Sequence, residues 1–533
     1  MFEKRIWKLT LQQWSLAGVI LASLLFHLAG IRQELPYLAN TDEASLLVPA
    51  VNIVSTGNLD PGWYGHPGST VIYPLAGIIE IYYQLSGRNP ALLEVRIPWA
   101  TGWAGDTLWG EIWKLYLIGR VMVAFYGAFV IIWIYLLGKR VFGAFEGLVG
   151  AGFYALCLVA ISYAQIIRTD VAATFWGMLS LWRIVEIYHK PNYLNQLIAG
   201  ACVGLSVSSR YFMATLIPML FFVDMILIIQ SKENRKKTWA SAVLGLSAAP
   251  IFFMLSTPYF ILSFDAAIAS LFLEAQPSHI GADGFSSLGN LFWYVSFAIP
   301  HSIAWGQYLF ALVGAAEAII RKQLMPVILL GYATIFLTGI SLSYMHWQRW
   351  IIPILPVLLL FTASGIRALF DRFSPRLKWP PRFLQGAILL VVLILAVKPT
   401  FDIILHDILA NTPSTRLLAQ QWVLENIPTG SKIAGEAYSI YPTPPENGRF
   451  QYTSMFSLSE KPFEEYYPEG YRYLATSSAV YNRFLAEPER YQERILFYQK
   501  LSEHGRLLYE IKSHRFHGGP VIRIYKLRPP TFP

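Results

Sequence analysis

The sequence predicts a polytopic α-helical membrane protein with a small α/β domain at its C-terminus. Of its 533 residues, 55% are hydrophobic and only 14% are charged, and the mean hydropathy is +0.43. Apolar runs of roughly 20 residues, the length that crosses a bilayer, recur along the first three quarters of the chain. After about residue 400 the composition becomes that of an ordinary soluble domain. An entirely water-soluble protein is therefore excluded.

Charge and cysteine content add two constraints. Lys and Arg number 42 against 33 Asp and Glu. Basic loops on the cytoplasmic side of a membrane explain such an excess, and an anionic partner is the alternative explanation. The two cysteines, Cys157 and Cys202, lie within apolar runs, so neither a disulfide framework nor a cysteine metal site is predicted.

The first predicted span covers about residues 14–31. Basic residues precede it, it is long enough to cross the hydrocarbon core, and it lacks a small-residue cleavage site. We therefore predict a retained anchor with a cytoplasmic N-terminus. Asp42 and Glu43, which follow this span, are then expected on the extracytoplasmic face.

The orientation of every later loop depends on whether the stretch 67–85 also crosses the membrane. Its Pro74, Gly77 and Glu80 are typical of a segment that lies at the interface. If it does not cross, the later basic loops all fall on the cytoplasmic side, as the positive-inside rule requires. These loops are 138–140, 183–190, 232–237, 321–322 and 367–382. We therefore predict that the stretch 67–85 does not cross.

About eleven spans are predicted in total. After the first, they are expected at 116–137, 145–165, 171–189, 194–210, 212–231, 238–258, 296–320, 325–343, 350–368 and 383–400. Residues 1–400 thus form the predicted transmembrane domain, with a large first outer loop at 32–115.

Residues 401–533 are predicted to form an extracytoplasmic α/β domain. A helix that opens at Thr412-Pro413-Ser414 is expected to run through Glu425. Strands are expected at 432–438, 471–477, 507–511 and 521–527. Strands that alternate with helices favour an α/β domain, and the odd number of spans places it outside.

Ionisable residues gather at the predicted outer ends of the spans. Because such groups are costly near a membrane, their collection on one side favours a polar cavity there. Carboxylates can take a proton from a hydroxyl, and arginines bind phosphate with two hydrogen bonds. A transferase that uses a phosphate-linked lipid donor needs both. The residues concerned are Asp42, Glu43, Arg120, Arg168, Asp170, Arg210 and Arg349.

Each of these residues also has a structural interpretation. A single arginine at a span end commonly anchors the helix at the interface. Asp42 with Thr41, or Asp170, would suit a helix N-terminus, and His66 would suit a turn. The mixture of carboxylates and arginines on one face favours the functional interpretation.

Six segments, in chain order, resemble the motifs of one family of membrane enzymes. This is the superfamily of protein O-mannosyltransferases and lipid A aminoarabinose transferases (glycosyltransferase family 39-like), which has the GT-C fold and uses polyprenyl-phosphate sugars. The chain differs from the family pattern at Gly68, at Arg210 and in an apparent insertion at about 89–115. The segments are Thr41-Asp42-Glu43-Ala44, His66-Pro67-Gly68, Gly119-Arg120, Ile167-Arg168-Thr169-Asp170, Gly204 to Tyr211, and Arg349 to Pro356.

The resemblance implies an integral-membrane glycosyltransferase with a GT-C transmembrane catalytic domain in the cell membrane. It would move a hexose or pentose, with inversion, from polyprenyl phosphate to a hydroxyl of a protein, lipid or glycan at the extracytoplasmic face. No cofactor, metal or nucleic acid is expected. The expected catalytic residues are Asp42, as general base, and Glu43; Arg168, Asp170 and His66 would orient the acceptor or sugar, and Arg120, Arg210, Tyr211 and Arg349 would bind the lipid phosphate.

Two other functions fit parts of the sequence. A transporter or flippase of a lipid-linked sugar would also place carboxylates and arginines in a membrane cavity. The charges lie at span ends rather than near mid-membrane, however, and no internal repeat is visible. A structural membrane protein whose soluble domain binds a partner is the third possibility, but it leaves the charged residues unexplained.

Overall fold

The computed structural model describes residues 10–35, 41–89, 109–231, 234–275, 285–377, 380–440, 449–514 and 517–529. Within these ranges a long helical region is followed by a five-stranded sheet with its own helices. The predicted fold class is confirmed. Most of the apparent insertion at 89–115 lies outside the described residues.

The helical region contains eighteen described α-helices. They are α1 (Leu11–Ala29), α2 (Ala44–Thr56), α3 (Ser69–Ser86), α4 (Trp109–Val141), α5 (Ala144–Ala155), α6 (Leu158–Ala164), α7 (Thr169–His189), α8 (Tyr193–Ser209), α9 (Leu216–Gln230), α10 (Arg235–Ser256), α11 (Tyr259–Leu262), α12 (Phe264–Ala275), α13 (Ser287–Trp293), α14 (Ile299–Ile303), α15 (Trp305–Ile320), α16 (Leu324–Ser341), α17 (Leu355–Leu377) and α18 (Pro381–Ala410). Short 3-10 helices lie at Thr41–Glu43, Tyr211–Thr215 and Gln348–Ile354.

Seven of the described helical segments are long and apolar enough to cross a membrane, or up to nine if each of two bent pairs is one span. One pair is α5 with α6, bent by 58°; the other joins Ser287–Ile303 to α15, bent by 116°. The remaining two of the eleven predicted spans are α7 and α8, which are helical at the expected positions. Arg183 and Glu186 lower the hydropathy of α7, and α8 has only 17 residues, so neither qualifies on length and composition.

Small residues allow the central helices to pack closely. A Cβ atom added at Gly200 of α8 would collide with the backbone oxygen of Gly245 in α10. One added at Gly314 of α15 would collide with the backbone oxygen of Phe361 in α17. Such backbone proximity is how membrane helices gain packing energy without a hydrophobic driving force.

The stretch expected at the interface forms α3. It begins after Gly68, whose φ of 61° lies in the left-handed region that favours glycine. The apolar faces of α2 and α3 pack together and onto α4, with Leu47, Ile72 and Leu75 fully or almost fully buried. Neither α2 nor α3 is among the helices long and apolar enough to cross. The placement of α3 at the interface stays a prediction.

The C-terminal part contains α19 (Thr415–Asn426), β1 (Lys432–Glu436), β2 (Gln451–Met455), α20 (Phe463–Tyr466), β3 (Tyr473–Ser477), α21 (Ser478–Ala486), α22 (Gln492–His504), β4 (Gly505–Ile511) and β5 (Ile522–Leu527). The strand order is β2-β1-β3-β5-β4. β2, β1 and β3 are parallel, and β5 is antiparallel to both β3 and β4. Four of these strands, all except β2, lie where the sequence predicts a strand. Helix α18 continues past residue 400, where the sequence places the domain boundary.

Candidate active site

A cavity of about 1130 Å³ lies between the helical region and the C-terminal part. Most of the predicted site residues line it, because the loops after α1 and α2, the turns before α7 and after α8, and the turn before α17 end there. From the helical region these residues are Asp42, His66, Arg120, Arg168, Arg210 and Arg349; the C-terminal part adds Tyr438, Phe456 and Arg483.

Asp42 presents a carboxylate to this cavity. Its Oδ2 accepts a hydrogen bond of 2.5 Å from Nη2 of Arg168, and its side chain remains 42% exposed while that of Arg168 is 6% exposed. The Tyr438 hydroxyl lies 3.5 Å from Oδ1. Arg168 therefore fixes the orientation of a carboxylate that a ligand can still reach.

Glu43, the next residue, has the opposite environment. Its side chain and that of Arg120 are 0% and 1% exposed, and the Nη2–Oε2 distance is 2.6 Å. Nε of Arg120 and the backbone N–H of Ile167 both donate to Oε1, at 2.8 and 2.9 Å. Nη1 of Arg120 donates to the backbone oxygens of Ile31 and Gln33. This pair ties together the end of α1, the turn before α2, α4 and the turn before α7.

The occupied hydrogen-bond donors of Arg120 bear on its predicted role. Arg120 borders the cavity, but its guanidinium already serves a buried carboxylate and two backbone carbonyls. A buried charge whose partner is removed is costly, so Arg120 is not free to turn toward a ligand.

Asp170 and Arg210 form a second buried ion pair. The Arg210 guanidinium also lies 4.7 Å from the ring centroid of Phe212. Asp170 Oδ2 has no hydrogen-bond partner in the part of the chain that the structure describes. Asp170 makes no capping bond to its own helix, which weakens the alternative that it is only a cap.

His66 lies among three guanidinium groups. Its ring packs edge-on against Trp63, with 4.3 Å between centroids, and its Nε2 is buried with no hydrogen-bond partner among the described residues. Burial, and then the charges of Arg210, Arg168 and Arg349, hold the pKa of His66 well below its ordinary value. The imidazole is therefore neutral near pH 7, with a ring nitrogen available for a hydrogen bond.

Arg349 differs from the other predicted arginines. Its guanidinium lies 4.7 Å from the ring of Trp347. No carboxylate of the described residues lies within ion-pair distance of it, and its Nε is buried without a hydrogen-bond partner there. This half-buried positive charge beside Arg210 and Arg168 favours binding of an anion.

Tyr211 does not border the cavity. Its hydroxyl donates to the backbone oxygen of Tyr64, at 3.0 Å, and its ring packs against Phe260. Tyr211 thus supports the loop that carries His66, whereas the sequence predicts a contact with the lipid phosphate.

The cavity residues that were not predicted as site residues include Trp347, Tyr438 and Arg483. A sequence signal exists for Tyr438, since it follows β1, and ligands commonly bind beyond the carboxyl ends of parallel strands. For Arg483, in the middle of α21, the sequence gives no such signal.

Across the described ranges, no group of three or more His, Cys, Asp or Glu side chains is arranged to share a metal ion.

A second cavity, the apolar groove, lies along α4. Its volume is about 730 Å³. The hydroxyl of Tyr126, which lines the groove, donates to the backbone oxygen of Thr70, and the Thr70 hydroxyl bonds that of Ser209, next to Arg210. Two hydrogen bonds thus link the groove to the arginine cluster. The groove residues are Ile78, Leu117, Ile118, Val121, Met122, Phe125, Tyr126, Phe129, Ile132, Trp133 and Phe175.

Comparison with known proteins identifies the class. Residues 111–260 match the family model described as dolichyl-phosphate-mannose-protein mannosyltransferase. No curated protein matches the chain. The structure is similar to that of AglB, the archaeal oligosaccharyltransferase from Archaeoglobus fulgidus, in complex with an inhibitory peptide and a dolichol-phosphate. The TM-score is 0.57 at 14% identity, covering 100% of this chain and 75% of that one.

ArnT from Cupriavidus metallidurans bound to undecaprenyl phosphate is also similar. Its TM-score is 0.54 at 12% identity, over 97% of this chain and 98% of that one. The Archaeoglobus fulgidus oligosaccharyltransferase complex with Zn and sulfate has a TM-score of 0.53 at 14% identity, over 95% and 72% of the two chains.

The chain therefore has the fold of the GT-C membrane glycosyltransferases. The family match and the fold together confirm the predicted resemblance to the GT-C, protein mannosyltransferase-like superfamily, and support a membrane glycosyltransferase. The roles of the individual site residues stay predictions.

Proposed function

We propose that this protein transfers a sugar from polyprenyl phosphate to an acceptor hydroxyl, with inversion, in the cavity that contains Asp42. One observation carries the proposal: an accessible, oriented carboxylate, Asp42, lines the same cavity as Arg349, an arginine with no carboxylate partner among the described residues. The relatives support the donor class, since AglB is described with dolichol-phosphate and ArnT with undecaprenyl phosphate.

In the proposed reaction, Asp42 acts as general base. Its Oδ1, which faces Tyr438 rather than Arg168, takes the proton of the acceptor hydroxyl. The acceptor oxygen forms a bond to the anomeric carbon, the bond from that carbon to the phosphate oxygen breaks, and its electron pair leaves with polyprenyl phosphate. A base so placed typically contributes about 10²–10⁴ to the rate.

The leaving phosphate is assigned to Arg349 and Arg210, with neutral His66 beside them. Charge-assisted hydrogen bonds from arginine position the phosphate and stabilise the charge that develops on it. Asp170 holds Arg210 in place, and Arg168 holds Asp42. Because the donors of Arg120 are already occupied, we assign Arg120 and Glu43 to positioning Asp42 rather than to contact with the substrate.

The lipid chain of the donor is assigned to the apolar groove. Its lining is almost entirely aliphatic and aromatic, and α3, the segment expected at the interface, forms one of its walls. With the chain oriented as the positive-inside rule predicts, the cavity and the C-terminal part face the extracytoplasmic side of the cell membrane.

The test is label transfer from a radiolabelled polyprenyl-phosphate hexose or pentose into membrane fractions. Wild type, Asp42→Asn and a matched control, Asp265→Asn, are compared at equal expression. Asp265 is an exposed carboxylate at the start of α12 and does not border the cavity. The proposal expects transfer by wild type and Asp265→Asn, and a loss of about 10²-fold or more in Asp42→Asn. Equal transfer by all three would remove Asp42 from the chemistry.

A further inference from the structure

Arg483 is the feature of the cavity that the proposed function leaves unused. It lies on α21 in the C-terminal part, borders the cavity and is half-buried. Its Nε donates to the backbone oxygen of Ala479 at 2.9 Å. Its guanidinium carbon lies 5.4 to 5.9 Å from the ring centroids of Trp347, Tyr438 and Phe456.

These contacts leave the hydrogen-bonding edge of Arg483 available. Aromatic rings contact the faces of a guanidinium, whereas its N–H groups donate in its plane. Within the described ranges, no carboxylate lies within ion-pair distance of Arg483, and its Nη groups donate no hydrogen bond to the protein. The rings hold a planar cation at the cavity without neutralising it.

Most of the other arginines that border the cavity, unlike Arg483, have a carboxylate partner among the described residues. Four of them are ion-paired: Arg120 to Glu43, Arg168 to Asp42, Arg210 to Asp170 and Arg416 to Glu34. Of the arginines that border the cavity in the described part of the chain, Arg349 and Arg483 have no such partner. One comes from each part of the protein, and both lie against Trp347. The cavity therefore has two uncompensated cationic positions.

We propose that Arg483 binds an anionic group of the acceptor, a carboxylate or a phosphate, and that the acceptor is therefore an acidic molecule. The inference rests on the proposed function, in which Arg349 takes the phosphate of the donor. Tyr438 connects the two ends of the acceptor site, since its ring lies 5.9 Å from Arg483 and its hydroxyl 3.5 Å from Asp42. An acceptor held at Arg483 by its anion places a nearby hydroxyl at the base.

The test uses the full-length protein in detergent and three probes. Methyl β-D-glucuronide and methyl β-D-glucoside differ only at C6, which is a carboxylate in the first and a hydroxymethyl group in the second. Undecaprenyl phosphate probes the donor site. Titration calorimetry measures each probe on wild type, Arg483→Gln, Arg483→Lys and Arg349→Gln. The matched control is Arg506→Gln, an exposed arginine of β4 that does not border the cavity. Melting temperatures show whether each variant is folded.

The expected result is a double dissociation. Wild type and Arg506→Gln bind the glucuronide more tightly than the glucoside. Arg483→Gln lowers glucuronide affinity roughly tenfold and leaves undecaprenyl phosphate affinity unchanged, as the loss of a charge-assisted hydrogen bond predicts. Arg483→Lys keeps part of the glucuronide affinity because it keeps the charge, and Arg349→Gln loses undecaprenyl phosphate affinity instead.

Three results would overturn the inference. If wild type binds the glucuronide no more tightly than the glucoside, the cavity has no subsite that binds an anionic group of the acceptor. If Arg483→Gln binds the glucuronide as well as wild type does, the arginine only anchors the domain through its aromatic contacts. If Arg483→Gln lowers the affinity for undecaprenyl phosphate as much as Arg349→Gln does, both arginines bind the donor. Failure of wild type to bind undecaprenyl phosphate, with glucuronide binding intact, would instead reject the proposed donor.

Discussion

Asp42 and Glu43 are neighbours in one short 3-10 turn, but their side chains lie in opposite environments, one in the cavity and one in the buried interior. The Asp42 carboxylate faces the cavity, with Arg168 on one oxygen and the Tyr438 hydroxyl 3.5 Å from the other, and its side chain is 42% exposed. The Glu43 carboxylate is fully buried and accepts three hydrogen bonds, two of them from Arg120. Both are carboxylate–arginine pairs, so charge pairing alone does not mark a catalytic residue. Exposure to a ligand distinguishes the two.

The same comparison separates the arginines. Arg120 holds a buried carboxylate and two carbonyls, whereas Arg349 and Arg483 have aromatic contacts and no ion pair among the described residues. We therefore expect substitutions in the buried pair to change stability, and substitutions on the cavity wall to change binding or turnover.

Arg120→Gln should cause the largest loss of stability. It leaves the Glu43 carboxylate buried without a cation, a change that typically costs about 3–5 kcal/mol. The measurement is the melting temperature of the purified protein in detergent. The control is Arg321→Gln, which removes an i,i+4 ion pair with Glu317 whose arginine side chain is 59% exposed and should change stability by less than about 1 kcal/mol. An Arg120→Gln variant as stable as that control would contradict the structural role of the pair.

Arg349→Gln should keep the fold and lose affinity for the donor. A hydrogen bond to a charged group contributes about 1.5–3 kcal/mol, so undecaprenyl phosphate affinity should fall roughly 10- to 100-fold. Equilibrium binding of undecaprenyl phosphate measures it, again with Arg321→Gln as control. If undecaprenyl phosphate binds Arg349→Gln as tightly as wild type, Arg349 does not bind the phosphate.

Glu436 differs from Asp42 and Glu43 because it is a buried carboxyl whose hydrogen-bond partners are neutral groups rather than an arginine. Its partners are the Tyr498 hydroxyl at 2.5 Å and the backbone N–H groups of Ser477 and Leu458. Burial raises the pKa of Glu436 to about 7, against the opposing effect of these hydrogen bonds. The folded state then keeps a proton that the unfolded state releases near the ordinary value of 4.5. Stability from this group is full below that pH and is lost as the pH rises to about 7.

We therefore expect the local stability of β1 and β3 to fall between pH 5 and pH 8. Hydrogen exchange of their amides in the full-length protein, corrected for the intrinsic pH dependence, measures it. Glu436→Gln should flatten the pH dependence, while Glu464→Gln, at a largely exposed ion pair with Lys500, should not. The same slope in wild type and Glu436→Gln would contradict this assignment. We expect this change in local stability to be smaller than the effects of the Arg120 and Arg349 substitutions.

The sequence predicted the helices well because their signal is local. All eleven expected spans fall on helices, but those expected at 145–165 and 296–320 are each broken into two helices, with bends of 58° and 116°. The strand β2 was missed, since Gln451–Met455 carries a weak pattern and is only partly buried. Apolar periodicity identifies elements with a buried face, and β2 lies at the edge of the sheet.

The sequence identified several residues that line the cavity, but it did not predict which of them form ion pairs with one another. Asp42, Arg168, Arg210 and Arg349 were identified and do converge on one cavity. That Arg120 serves Glu43 depends on contacts across 77 positions of sequence, which no local pattern encodes. The contribution of Arg483 depends likewise on how the C-terminal part packs against the turn before α17.

The most direct test of the account measures donor affinity and label transfer on the same purified samples of Asp42→Asn and Glu43→Gln. The account predicts that Asp42→Asn stays folded and keeps undecaprenyl phosphate affinity but transfers almost no label. It also predicts that Glu43→Gln loses stability, affinity and transfer together. If Asp42→Asn transfers label normally, or if it too loses stability and affinity in parallel, Asp42 is not the base.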